Sequence, residues 1–165
     1  MHEYDSTFTV NTVEQVYAGL DARITRLLAQ TGADRIDLTA HSLGTALMQA
    51  YLNSSPARAA RVAHYVNYDG ATATAPPGGV PTLAIWGEGD PTRAITGATN
   101  VDLPAESHTQ TVTAADSFQA VYQFLTGRRP RTTRIVPQPP GQVLLSGRAV
   151  LFPSNVGVPS GRLES

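Results

Sequence analysis

Apolar residues recur at helical spacing in several segments of the chain, and these segments alternate with short runs rich in β-branched residues. The first stripe is the longest, and its members lie three or four residues apart, as one face of a helix requires. Its members are Val13, Val16, Tyr17, Leu20, Ile24, Leu27 and Leu28. Thr12 and Gln15 have the spacing of a capping box, and Gly32 is a candidate stop. The pattern predicts a first amphipathic helix.

Strand and helix patterns alternate in the segments that follow. Strands are predicted at residues 35–40, 62–68 and 82–87, with a weaker strand at 100–103. A second helix is predicted at 43–53. A last helix is indicated by Phe118, Val121, Tyr122 and Leu125, with Thr113 as its candidate cap and Gly127 beyond its end. Strands separated by helices form a parallel sheet flanked by helices, so the predicted fold class is α/β.

The composition changes once, near residue 127. Residues 128–141 hold four Pro and four Arg, which is typical of an extended linker. Residues 142–152 have the pattern of a hairpin around Ser146 and Gly147. We therefore predict a core domain at residues 1–127, a linker at 128–141 and a hairpin within 142–165.

The charge balance and the absence of cysteine exclude several classes of function. The 165-residue chain has 12 basic residues, all Arg, and 13 acidic ones, a balance that argues against an electrostatic nucleic-acid binder. The absence of Cys excludes disulfides, thiolate zinc sites and a cysteine nucleophile. Every apolar run is shorter than the roughly 18 residues of a membrane span, and the polar first residues are unlike a signal peptide.

The turn at Ser42 has the pattern of a nucleophile elbow. A predicted strand runs into Ala40, His41, Ser42, Leu43 and Gly44, and a predicted helix follows at once. Because such a turn is strained, it needs small residues two before and two after the serine, here Ala40 and Gly44. The elbow presents the hydroxyl and directs the Leu43 amide at a developing oxyanion. The alternative is an ordinary helix N-cap serine.

A serine nucleophile needs a base that a carboxylate orients, and in this kind of fold the acid precedes the histidine in the chain. Among four His residues, His108 lies in the loop between the last strand and the last helix, which favours it as the base. We expect His41 to point elsewhere. The acid is open between Asp90 and Asp69, each directly after a predicted strand. Spacing slightly favours Asp90, and Glu88 is a weaker third candidate.

Several segments taken together resemble the α/β-hydrolase superfamily and, within it, the Archaeoglobus-type lipase family. They are ITGATNV at residues 95–101, SH at 107–108, SF at 117–118, FLTG at 124–127, RTTRIVPQ at 131–138 and GRAVLF at 147–152. The last two look like the link to that family's C-terminal β domain and like the first hairpin of that domain. The resemblance covers roughly residues 10–160.

This resemblance implies a serine carboxylester hydrolase that acts on acylglycerols or other lipid esters. It implies no metal or organic cofactor, and a secreted or extracellular location. The family's acid follows the strand after the nucleophile helix, in a Leu-Asp-Gly turn similar to Tyr68-Asp69-Gly70. The resemblance therefore implies the catalytic residues Ser42, Asp69 and His108, with Asp90 as the alternative acid.

The chain departs from the family's pattern at both ends. About a dozen residues precede Val13, where the family has strands and the loop with the second oxyanion donor. The chain also stops where the β domain should continue. The resemblance thus predicts a partial hydrolase core, with an open sheet edge through which copies could associate. A non-catalytic lipase remnant and, less favoured, an acyltransferase are the alternatives to a hydrolase.

Overall fold

The computed structural model describes residues 12–134, 139, 141, 150–151 and 156–157 of the chain. Its helices are α1 (Val13–Thr31), α2 (Leu43–Asn53), α3 (Pro56–Ala59) and α4 (Ala115–Thr126). Its strands are β1 (Ile36–His41), β2 (Val62–Tyr68), β3 (Thr82–Trp86), β4 (Thr99–Asp102), β5 (Val150–Leu151) and β6 (Val156–Gly157). Residues 17–134 form one compact unit, which carries all the candidate site residues.

The sheet of this unit consists of four parallel strands in the order β1-β2-β3-β4. The predicted α/β class is therefore confirmed, and the predicted strands lie within one or two residues of the observed ones. All four strands point the same way, so their carboxyl ends meet at one edge of the sheet. β1 and β4 are its outer strands in this part of the chain. The predicted open edge would be that of β1.

Both faces of the central strands are covered. On one face, Val66, Leu83 and Ile85 pack against α4, whose side chains at this contact include Val121 and Phe124. The other face packs against α2 and against the loop between β3 and β4. All five residues of β3 are buried, because a parallel strand covered on both faces has no solvent side. The indole of the buried Trp86 is satisfied, since its Nε1 donates to Asn100 Oδ1 at 2.9 Å. The core thus holds the central strands in fixed register.

Local signals at the helix ends are confirmed in three cases. The Thr12 amide donates to Gln15 Oε1 at 2.8 Å and the Gln15 amide to Thr12 Oγ1 at 3.3 Å, which is the predicted capping box. Gly32 has a φ of 69° and Gly127 a φ of 70°. Each donates its amide to a carbonyl of the last turn, of Leu28 and Gln123 respectively. Glycine adopts this left-handed conformation at little cost, so both helices end there.

One local expectation fails, and one short element was not predicted. Thr113 does not cap α4, since Ala114 is the residue at the cap position. A single 3₁₀ turn at Gln110–Val112 precedes it, and the Thr113 hydroxyl donates to the Gln110 carbonyl at 3.3 Å. The short helix α3 was also not predicted. It begins where the Ser55 hydroxyl accepts from the Ala57 amide at 3.2 Å.

The predicted hairpin lies largely outside the described residues, as do residues 135–138 and 140 of the predicted linker, while residues 128–134 of the linker contain no helix or strand. In the C-terminal part, the structure describes an antiparallel pair of β5 with β6, in which Val150 lies opposite Gly157. Among the described residues, no helix combines the length and the apolar character needed to cross a bilayer.

Asp21 fastens α1 to α2 and α3. Its carboxylate accepts from the Tyr51 hydroxyl at 2.6 Å and from Arg58 Nη2 at 2.8 Å. The hydrogen bond from Arg58 lowers the pKa of Asp21 from its ordinary value of 3.8, against the opposing effect of burial. Because the pKa is lower in the folded state, the ionised carboxylate stabilises the fold above the unfolded pKa.

We therefore expect Asp21→Asn to lower the free energy of unfolding at pH 7 by about 1 kcal/mol, a modest value because the side chain is partly exposed. The deficit should disappear as the pH falls through the folded pKa, since Asp21 itself is then neutral. Urea unfolding at a series of pH values from 7 downward measures this deficit. Asp34→Asn, at an exposed position before β1, is the control. A deficit that stays equal over the whole acid range would contradict the electrostatic explanation.

Candidate active site

Ser42 occupies a strained turn between β1 and α2. Its φ of 55° and ψ of −133° are rarely adopted by a residue with a side chain. This is the strand–turn–helix geometry of a nucleophile elbow. The Ser42 side chain makes no capping hydrogen bond to α2, so the alternative of an ordinary N-cap serine does not describe it. The hydroxyl is instead directed out of the turn, at the carboxyl edge of the sheet.

The elbow is held by its neighbours on β2 and α2. The Ser42 amide donates to the Tyr68 carbonyl at 3.1 Å, which continues the pairing of β1 with β2. The Ser42 carbonyl accepts from the Thr45 hydroxyl at 2.6 Å and from the Thr45 amide at 3.0 Å. The same hydroxyl accepts from the Ala71 amide at 2.7 Å. Thr45, fully buried, therefore joins the elbow to the loop after β2.

Asp69 is the first residue after β2, and its side chain is 3% exposed. Its Oδ2 accepts from His108 Nδ1 at 2.6 Å, and its Oδ1 accepts from the Gly87 amide at 2.8 Å and from Arg93 Nη1 at 2.8 Å. Burial raises the pKa of Asp69, but these hydrogen bonds and the Arg93 charge outweigh it, so the pKa lies below its ordinary value. Asp69 is therefore ionised at neutral pH.

His108 lies in the loop after β4, between Asp69 and Ser42. Its Nε2 is 2.8 Å from Ser42 Oγ. Because Asp69 is an ionised acceptor, Nδ1 carries the hydrogen that faces it, and Nε2 is left to accept the Ser42 hydroxyl. This tautomer is the one in which an imidazole can take a proton from serine. The three side chains form a continuous hydrogen-bonded chain.

His41, expected to point elsewhere, contacts the candidate base. Its Nε2 lies 2.9 Å from the carbonyl oxygen of His108, and the two rings are 4.5 Å apart between centroids. The Thr111 hydroxyl donates to the same carbonyl at 2.8 Å. The expectation is therefore wrong, and the physical reason is that the loop carrying His108 folds back over the end of β1. His41 and Thr111 together fix the backbone of that loop.

The structure does not bring Asp90 to His108. Asp90 is exposed, and its Oδ1 accepts from the amide and hydroxyl of Thr92 at 2.8 Å and 2.7 Å. It therefore stabilises its own turn, which is a common structural use of aspartate. Glu88 is also exposed, on the turn after β3. The spacing of the sequence slightly favoured Asp90 as the acid, but in the structure it is Asp69 that contacts His108.

The remaining elbow residues differ in how closely they are packed. The amide of Leu43, the first residue of α2, belongs to the helix start, where amides lack intrahelical acceptors. It is therefore available to an oxyanion beside Ser42. Ala40 is partly buried. A Cβ added at Gly44 would meet no heavy atom within 4 Å in the part of the chain that the structure describes. The small size expected at Gly44 is thus not required by packing there.

The sequence analysis did not predict the contacts that three neighbouring residues make with the site. These residues are His41, Thr45 and Arg93. No short motif identifies them, since each acts through a contact with a distant segment. A search of the described residues finds no group of three or more His, Asp or Glu side chains arranged to hold a metal ion. The chemistry that the site itself supports is proton transfer from a serine hydroxyl to an imidazole.

Comparison with known proteins adds no relative to this description. No protein-family model matches the sequence, and no curated protein matches it. These comparisons therefore assign no function to the site, and its functional interpretation starts from the geometry of Ser42, His108 and Asp69.

Proposed function

We propose that the chain is a serine carboxylester hydrolase of the lipase or esterase type, which acts on lipid-like esters through Ser42, His108 and Asp69. The observation that carries the proposal is the chain of two short hydrogen bonds, 2.8 Å from His108 to Ser42 and 2.6 Å from His108 to Asp69. The strained conformation of Ser42 supports it, as does the resemblance of the sequence to Archaeoglobus-type lipases.

In this mechanism Ser42 Oγ attacks the ester carbonyl carbon while His108 Nε2 takes the hydroxyl proton. The ionised Asp69 stabilises the imidazolium and holds the ring in the correct tautomer. The Leu43 amide donates to the oxyanion of the tetrahedral intermediate. His108 then protonates the leaving alcohol, and the intermediate collapses to an acyl-enzyme. Water attacks the acyl-enzyme by the same sequence, which releases the carboxylic acid and restores Ser42.

The exposed apolar side chains near Ser42 in the chain favour a substrate with an apolar acyl group. The Leu43 side chain, next to the nucleophile, is 70% exposed, and Val112, in the 3₁₀ turn that follows His108, is 42% exposed. An exposed apolar side chain beside the nucleophile, such as that of Leu43, can contact an acyl chain and exclude water from it. Neither Leu43 nor Val112 is needed to fill the core. They favour an ester with a hydrophobic acyl part over a charged substrate.

Labelling with a fluorophosphonate, followed by intact-mass spectrometry, tests the proposal. We expect one adduct per chain, which Ser42→Ala abolishes and Ser54→Ala, at the far end of the same helix, retains. The reagent reacts with a serine whose base is correctly placed, because phosphonylation requires the same proton transfer as acylation. Absence of an adduct in a sample that circular dichroism shows to be folded would contradict the proposal and favour a non-catalytic remnant.

The acyl-enzyme can pass its acyl group to water or to an alcohol. Incubation of the wild-type chain with a p-nitrophenyl ester and added glycerol separates these outcomes. A hydrolase releases mainly the free acid, whereas an acyltransferase releases mainly the glycerol ester.

A further inference from the structure

Arg93, in the loop between β3 and β4, contacts the Asp69 carboxylate on the side away from His108. Its Nη1 donates to Asp69 Oδ1 at 2.8 Å, while His108 takes the other oxygen. The Asp69 side chain is 3% exposed and that of Arg93 23% exposed, so the ion pair is largely removed from solvent. A partly buried pair of this kind is screened less than a surface pair.

The guanidinium also fixes the turn that follows β3. Its Nη2 donates to the carbonyls of Gly87 and Glu88 at 3.0 Å and 2.9 Å, and its Nε donates to the Asp90 carbonyl at 3.2 Å. The guanidinium carbon lies 5.4 Å from the centroid of the Trp86 ring. A planar group with several fixed donors can make all these contacts at once, which a lysine ammonium cannot.

These contacts determine how the Asp69 carboxylate is oriented. The Gly87 amide and Arg93 both occupy Oδ1, so the carboxylate cannot rotate without losing two charge-assisted hydrogen bonds. Its Oδ2 is thereby held for His108. The turn after β3 is itself held by the Arg93 donors to Gly87 and Glu88, so one side chain orders both the acid and the amide that binds it.

We propose that Arg93 is a positioning residue of the triad, which orients the Asp69 carboxylate towards His108. This inference rests on the proposed function. A positive charge beside a carboxylate offsets part of the negative charge that favours a protonated imidazole. Replacing Arg93 by a neutral residue should therefore shift the pH dependence of the labelling rate upward.

The charged and titratable groups around the His108–Asp69 pair come from three segments. His41 at the end of β1 stacks on His108, and Arg93 comes from the loop after β3. Glu88 and Glu106 approach the same region through backbone atoms, since the Glu88 amide donates to the Glu106 carbonyl at 2.8 Å.

The test is the fluorophosphonate labelling rate as a function of pH, corrected for the folded fraction, in wild type, Arg93→Met and Arg93→Lys. We expect Arg93→Met to move the half-maximal pH of labelling upward and to lower the maximal rate. Arg93→Lys keeps the charge, so it should keep the half-maximal pH while lowering the maximal rate. Arg26→Met, at an exposed position on α1, should change neither quantity. Arg93→Gln repeats the neutral substitution if Arg93→Met does not fold.

A merely structural role would lower the folded fraction and leave the half-maximal pH unchanged, and that result would overturn the inference. A second readout does not need activity: the downfield proton resonance of the His108 Nδ1–H is followed through a pH titration in wild type and Arg93→Met. If wild type is not labelled but this titration shifts in Arg93→Met, the proposed function fails while the coupling through Asp69 stands. If wild type is labelled and neither readout shifts, the proposed function stands and the role of Arg93 is refuted.

Discussion

We expect Asp69→Asn to lower the fluorophosphonate labelling rate about 10⁴-fold, the scale of the loss when the acid of a serine triad is replaced by its amide. The substitution keeps the size of the side chain but removes its charge. An asparagine that still accepts from Gly87 and Arg93 through its oxygen would present its NH₂ group to His108. That donor favours the opposite tautomer of the imidazole, in which Nε2 carries the hydrogen and cannot accept the Ser42 proton.

Asp90→Asn is the matched control, because spacing made Asp90 the rival acid. Its Oδ1 caps Thr92, and an asparagine oxygen can accept the same hydrogen bonds. We therefore expect its labelling rate to stay within about a factor of two of wild type, as for most exposed substitutions. Circular dichroism establishes that both variants are folded before the rates are compared. A collapse of the rate in Asp90→Asn, with Asp69→Asn near wild type, would show that the acid is misassigned.

Sequence pattern alone predicted the elements that carry the site. The strand before Ser42 and the helix after it have clear periodicities, and the turn between them is a local feature with a steric requirement. His108 could be chosen for a similar reason, since it alone of the four His residues lies in the loop after the last strand. Sequence patterns thus predict those features of the structure that depend on residues close to one another in the chain.

The choice of acid could not be made in this way. Asp69 and Asp90 both follow a strand, and their spacing from Ser42 does not tell which strand lies beside β1. In the sheet, β2 is the neighbour of β1 and β3 is one strand further away. The acid that reaches His108 therefore comes from the end of β2. Strand order is a tertiary property, and only the family resemblance indicated Asp69 beforehand.

The residues that support the triad, His41, Thr45 and Arg93, were not predicted for the same reason, because their contacts also depend on tertiary structure. His41 and His108 are 67 residues apart in the chain, and the Arg93 contact with Asp69 spans 24 residues. Thr45 offered the best signal, a polar side chain in the first turn of a mostly apolar helix. Even there, the sequence does not show that the Thr45 hydroxyl accepts from the Ala71 amide in the loop after β2.

The structure places the steric requirement of the elbow at a different glycine from the one that the sequence motif indicates. The sequence motif predicts that Gly44 must be small, yet the structure leaves space at Gly44 and none at Gly70. A Cβ at Gly70 would overlap the Thr45 side chain and lie 2.7 Å from the Ser42 carbonyl oxygen. That oxygen accepts two hydrogen bonds from Thr45, so neither group can move without loosening the elbow.

We therefore expect Gly70→Ala to lower the free energy of unfolding by about 1–3 kcal/mol, the usual cost of overpacking. The labelling rate of the folded fraction should fall about 10²-fold, because a displacement on the order of 1 Å at the nucleophile has that effect. Gly44→Ala should keep the labelling rate. It should also leave the free energy of unfolding unchanged or raise it by up to about 1 kcal/mol, since alanine is the better helix former.

Urea unfolding and labelling of the two variants decide between two explanations of why the elbow needs glycine. If the requirement comes from contact between the elbow and the acid loop, Gly70→Ala loses both stability and rate while Gly44→Ala loses neither. The opposite pattern, a stable Gly44→Ala that no longer labels, would mean that the reagent itself needs the space beside Ser42. In that case the small residue would serve the substrate, and Thr45 would have room to accommodate a methyl group at position 70.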